Sequence, residues 1–212
     1  EYEAKFDNSS QDIISYLISG SVKNAKLNIP GYKNLDDINF NFVAKDKKVK
    51  FSNLNFIFQN IGFLSNSLEA KEDKSGSYNI EGDIENTKAL INPNLLFKFV
   101  KIKQDYFSSQ DILFQSKNTF SFKFNRNKKI KNLKINSVLN FDEIYFNDKY
   151  QNIFYLKNGI INSKFKDGQL VADLNSNFAL FDNLNLNNNF KNNNLRLFLN
   201  TKNDQKLQIK GN

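Results

Sequence analysis

The chain has 212 residues, of which 40% are hydrophobic, 14% aromatic and 25% charged, with a formal net charge of +8; this composition excludes an intrinsically disordered segment and fits sheets that keep one wet face. It contains no Cys and no His, which removes disulfides, thiol nucleophiles, imidazole bases and the usual zinc ligands. The abundance of Phe, Tyr, Asn, Lys and Ile follows AT-rich codon usage, so the net charge carries little functional weight.

The opening "EYEAKF" and the close "LQIKGN" fall in mid-pattern and no Met starts the chain, as expected of a segment of a longer protein whose targeting signal or anchor lies elsewhere. The densest apolar run, "LLFKFV" from Leu95 to Val100, is far short of the ~18 residues of a spanning helix.

In chain order, "SSQDIISYLIS" predicts a first short helix, with Ser9 or Ser10 as N-cap, Ile13, Ile14, Leu17 and Ile18 at helical spacing, and Gly20 as its stop. Period-2 alternation then takes over, the mark of strands with one apolar face. Ile38, Phe40 and Phe42 form one stripe, "AKDKK" from Ala44 to Lys48 predicts a hairpin loop of four or five residues, and Val49 and Phe51 resume the stripe. The stripe changes parity between Phe51 and Leu54, Phe56 and Phe58, which requires a bulge or bend at Ser52-Asn53. Tyr78, Ile80, Gly82 and Ile84 continue the pattern. "INPNLLFKFVKI" predicts a second short helix with Pro93 in its first turn. Strand stripes return at Phe120, Phe122 and Phe124, then at Leu133, Ile135, Leu139 and Phe141. In "FKDGQL", Asp167-Gly168 predicts a tight hairpin between Phe165 and Leu170, whose stripe continues to Leu174. Leu184, Leu186, Leu195, Leu197, Leu199, Leu207 and Ile209 carry the alternation to the end.

These elements predict an all-β fold: one long, twisted antiparallel meander curled into a groove, with one or two short helices, the alternative being a β-sandwich. The chain reads as one continuous segment over residues 1–212. "GSVKNAK" at Gly20, "GDIENTK" at Gly82 and "GIINSK" at Gly159 form a weak repeat of Gly, aliphatic, Asn and Lys, with unit starts near 20, 82 and 159.

Chemistry is sparse. Asp36-Asp37 and Asp142-Glu143 are adjacent carboxylates expected to be solvated charges beside turns. No glycine-rich phosphate loop and no calcium loop is present, so no catalytic residue, cofactor or metal is expected. "FKFNRNKKIKNLK" sets Lys123, Arg126, Lys128, Lys129, Lys131 and Lys134 beside Phe residues, a pattern that suits nucleic acid but fits better a hairpin whose "NRNKK" is the loop and whose lysines guard an edge.

The Gly-x-aliphatic-x-Asn openings, the "LKNGIINSKFKDGQLVADL" hairpin from Leu156 to Leu174 and the "INPNLLFKFV" break resemble AsmA-like proteins, particularly the YhdP branch, over residues 20–212. The resemblance implies a repeating β-groove in a Gram-negative envelope protein, held in the inner membrane by an anchor outside this segment and exposed to the periplasm. It implies that phospholipids pass through the groove between the inner and outer membranes without catalysis. The groove lining would be the apolar stripes: Ile38, Phe40, Phe42, Val49, Phe51, Leu54, Phe56, Phe58, Ile80, Ile84, Phe120, Phe122, Phe124, Leu133, Ile135, Phe165, Leu170, Leu174, Leu195 and Leu197. The alternatives are a structural or adhesive surface β-protein and, less favoured, a basic nucleic-acid binder.

Overall fold

A strand whose side chains alternate still needs a partner along each edge for its backbone donors and acceptors, and this chain supplies one by folding back at almost every turn. The computed structural model describes residues 1–6, 13–28, 34–92, 110–125, 127, 129–147, 153–181, 187–200 and 208–211; for residues 6, 13–14, 146–147, 153–154, 178–181, 187–200 and 208–211 the backbone alone is described. The strands are β1 (Tyr2–Phe6), β2 (Ile13–Leu27), β3 (Leu35–Lys45), β4 (Lys48–Phe58), β5 (Ile61–Ser65), β6 (Leu68–Glu72), β7 (Tyr78–Ile91), β8 (Ile112–Phe124), β9 (Ile130–Asn147), β10 (Ile153–Lys166), β11 (Gln169–Phe181), β12 (Asn187–Asn200) and β13 (Gln208–Gly211). They form one antiparallel sheet in chain order, and the described residues include no helix.

One local variation occurs. β4 pairs with β5 through Leu54 to Phe58 and with β6 through Lys48 to Phe51, and both β5 and β6 pair with β7. β5 and β6 are therefore two halves of one strand, interrupted at Asn66 and Ser67. Asp83 bridges the interruption: its carboxylate accepts the Ser67 N–H at 2.6 Å, and its own N–H donates to the Ser67 carbonyl at 2.9 Å.

The chain divides into two compact units, Glu1–Asn86 with Asn118–Ile135, and Thr87–Lys117 with Asn136–Asn212. In the first unit the register sets Gly20, Phe42, Phe51, Leu68 and Gly82 side by side across five strands, with Ile18, Ala44, Val49, Ala70 and Ile80 as the next row. Directly opposite residues share a face, so these rows are apolar, whereas Val43, Lys50, Glu69 and Glu81 form a row on the other face. The second unit repeats the arrangement. Phe165, Leu170 and Leu199 align, as do Ile161, Leu174, Leu195 and Gly211, while Asn162, Asp173, Arg196 and Lys210 make the intervening polar row.

Three bulges bend β2, β3 and β4 at neighbouring positions. Asn24, Asp37 and Asn53 all have positive φ, at 51°, 50° and 55°, and the register shifts beside each. Asn side chains tie them together. The Asn39 carboxamide accepts the Asn24 N–H at 2.9 Å and donates both to the Asp37 carbonyl at 2.7 Å and to Asn55 Oδ1 at 3.0 Å. Asn55 in turn donates to the Asn53 carbonyl at 3.3 Å. The bulge expected at Ser52-Asn53 is this one, and it brings Leu54 back to the apolar side.

Several expectations are corrected. Residues Ile13 to Leu27 are a strand, not a helix; Ile14, Ile18 and Val22 fit period 2 as well as 3.6, and the edges of β1 and β3 decide between them. The second expected helix, from Pro93 onward, lies outside the described residues. The β3–β4 loop is only Asp46 and Lys47, since Lys45 already pairs with Lys48 and Asp46 adopts a φ of 52°. Asp36-Asp37 and Asp142-Glu143 lie within β3 and β9 rather than beside turns. Lysines on other strands hold three of these carboxylates: Lys26 of β2 with Asp36 at 2.8 Å, Lys88 of β7 with Asp142 at 2.9 Å, and Lys157 of β10 with Glu143 at 3.5 Å.

Candidate functional site

The apolar face of the sheet is the candidate site, and its lining follows from strand parity. In the first unit, Phe40 packs edge-on to Phe51 with ring centroids 5.5 Å apart and lies 6.4 Å from Phe42. Phe56 stacks on Phe63 at 5.4 Å, and Phe120 on Phe122 at 6.1 Å. Such pairs add about 0.5–1.5 kcal/mol each beyond simple burial. They pack the rings side by side along the face, and each of these Phe residues keeps part of its surface exposed.

Burial records the same fact. Ile38, Phe40, Phe42, Val49, Phe51, Leu54, Phe56, Phe58, Ile80, Ile84, Phe120, Phe122, Phe124, Leu133 and Ile135 in the first unit are all half-buried, and so are Phe165, Leu170 and Leu174 in the second. Of Leu195 and Leu197 the register alone is described, opposite Leu174 and Ala172. A second sheet packed on this face would bury such residues as a sandwich core. Among the described residues, full apolar burial is limited to Ile61 in the first unit and to Ile112, Phe114, Phe141 and Leu156 in the second.

The face is larger than the alternation alone suggested. Gly20, Val22, Phe63, Leu68 and Ala70 extend it, because β2, β5 and β6 enter the sheet. The available signal was the shift of parity from Phe58 to Ile61 and Phe63 across Gln59 and Asn60, whose φ values of 54° and 66° form the β4–β5 turn. Buried polar residues sit on this face too: Asn86, opposite Phe63, is 1% exposed, and Ser65, opposite Leu54, is 4% exposed.

No known family model, curated protein or solved structure matches the chain.

The opposite face is a mosaic of charges. Lys48 pairs with Glu69 at 2.5 Å, yet Lys48 remains 40% exposed, so the pair contributes at most about 1 kcal/mol. Lys123 is engaged by Asp73, while Lys129, Lys131 and Lys134 are exposed, and Arg126 and Lys128 lie outside the described residues. Among the described residues no three carboxylates gather as a metal ion would need.

Proposed function

We propose that the apolar face carries the acyl chains of phospholipids, and that the chain is a non-catalytic portion of an envelope protein that moves them between membranes along a groove. The periplasmic setting, the inner-membrane anchor and the kinship with AsmA-like proteins belong to the same proposal. The observation that carries it is the uniform half-burial of the lining residues, set against a polar opposite face. A row such as Gly20, Phe42, Phe51, Leu68 and Gly82 crosses five strands, roughly 19 Å at the usual strand spacing, which is acyl-chain scale. Each methylene withdrawn from water there contributes about 0.8 kcal/mol. Neighbouring rows are similarly apolar, so a chain can shift from one to the next without leaving a deep pocket.

The test is purification from a lipid-replete host without detergent, followed by mass spectrometry of extracted lipid and titration with a fluorescent phospholipid. Co-purified phospholipid and saturable binding are expected, with Phe51→Asp lowering affinity at least tenfold and Lys50→Asp, on the other face, leaving it intact. A folded protein that yields and binds no lipid overturns the reading. If it is then a dimer that binds no apolar dye, a structural protein closed by a second sheet takes its place.

A further inference from the structure

A second site lies within the first unit, at the sheet end where the β6–β7 turn meets the β8–β9 turn. A cavity of about 450 Å³ opens there, lined by Ser77, Lys123, Asn127, Lys131 and Asn132 among others. The β6–β7 turn is organised by Asp73. Its Oδ1 accepts the Ser75 N–H at 2.8 Å, the Ser75 hydroxyl at 2.5 Å and the Ser77 N–H at 3.2 Å, and its Oδ2 holds Lys123 Nζ at 2.5 Å. The β8–β9 turn is pinned by the Asn125 N–H on the Lys129 carbonyl at 3.1 Å and by the Lys129 N–H on Asn125 Oδ1 at 2.9 Å. Both walls are thus built and held by their own hydrogen bonds.

What remains unspent includes one full positive charge and several N–H and O–H donors. Among the described residues no carboxylate lines the cavity, and nearby Asp73 is already committed to Lys123 and to its own turn. Among the described residues, Asn127, Lys131 and Asn132 give their side chains to no hydrogen bond or ion pair. The Lys131 ammonium, the two carboxamides and the Ser77 hydroxyl, which accepts from the Ser75 hydroxyl at 3.0 Å and keeps its own proton to donate, offer donors to a group with several acceptor oxygens and negative charge. The volume lies within the range of small-ligand sites.

We propose that this cavity binds an oxyanion of the phosphate class, with Lys131 as its main charge partner. The inference stands apart from the acyl-chain reading, since the donor set is polar and does not include the apolar rows. A free phosphate and a phospholipid headgroup present the same chemistry to it.

The experiment is calorimetric titration of the full chain with inorganic phosphate and, separately, with dihexanoyl phosphatidic acid below its aggregation concentration. Saturable one-site binding of either supports the proposal, and a preference of tenfold or more for the lipid identifies the headgroup as the source. Lys131→Ala should lose at least tenfold in affinity, while Lys134→Ala, an exposed lysine outside the cavity, should lose less than twofold. Binding of neither ligand at millimolar concentration overturns the proposal, as does equal loss in the two variants. Because both lysines are exposed, their replacement leaves folding intact, which circular dichroism checks. Phe51→Asp should retain phosphate binding, so failure here and failure of the acyl-chain reading are separable.

Discussion

Gly159 lies directly beneath the ring of Phe141, so that a Cβ added at Gly159 would overlap that ring. Phe141 is 2% exposed and has nowhere to move, and the bulge beside Asn158, with its φ of 51°, fixes the backbone at the same point. Gly159→Ala should therefore cost about 1–3 kcal/mol, the usual penalty of overpacking a filled core. Combining it with Phe141→Leu should cost less than the sum of the two single changes, because the clash is shared. Gly20→Ala meets Phe42 Cε1 at 2.8 Å, but that ring is half-buried and can swing aside, so its cost should be the smaller. Urea unfolding midpoints measure all three, and a Gly159→Ala protein as stable as its parent would contradict the packing described.

The bulges of β2, β3 and β4 make a second prediction. Asn53 at φ 55° occupies a conformation that costs an L residue without a local hydrogen bond about 1–2 kcal/mol. Asn53→Gly should be nearly neutral and Asn53→Val should lose that amount. Asn39→Ala removes the acceptor of the Asn24 N–H, and faster hydrogen exchange at Asn24 should report it. Unchanged exchange there would mean that the side chain does not tie the bulges together.

How far the sequence foretold this arrangement depends on whether the deciding interaction was local. The parity change after Phe51 is local, so the bulge near Asn53 was readable, and so was the Asp167-Gly168 turn, whose two residues both show positive φ. The stretch from Ile13 to Gly20 satisfies helix and strand periods at once. Its outcome is set by Tyr2 to Phe6 on one side and Leu35 to Lys45 on the other, neither of which is visible from within the stretch. The apolar stripes were legible as alternation, yet nothing in the alternation says whether a face is covered. The polar cavity was not legible at all, because Ser77 and Lys131 are brought together only by the order of β6, β7, β8 and β9.

Tyr145 donates its hydroxyl to Glu143 Oε2 at 2.6 Å, and this hydrogen bond, helped by burial and by the negative charge, pushes its phenol up to about 12. A raised value means that the neutral phenol is favoured in the folded state. The resulting stabilisation is complete below the ordinary phenol range near 10 and is lost as pH rises through about 12. Glu143→Gln should bring the ionisation down towards that ordinary range. The ultraviolet difference between each protein and its Tyr145→Phe counterpart isolates this phenol, and an unmoved titration would remove Glu143 as the cause.

Asp73 behaves in the opposite sense. The Lys123 ammonium foremost, and then the Ser75 hydroxyl, hold its carboxyl far below the usual carboxylate range. A depressed value means that the charged form is favoured on folding. The stabilisation is therefore complete above the unfolded value of about 3.9 and is lost as pH falls below it towards the depressed one. The folded protein should lose stability between pH 5 and pH 2, and Asp73→Asn should show a shallower loss over the same window. Lys123→Gln should also flatten the profile, although less, since the Ser75 and Ser77 donors remain. Thermal midpoints compared at pH 7 and pH 3 measure this directly. If Asp73→Asn and its parent fall by the same amount, the acid sensitivity arises elsewhere among the 22 carboxylate side chains, and the β6–β7 turn does not depend on this ion pair.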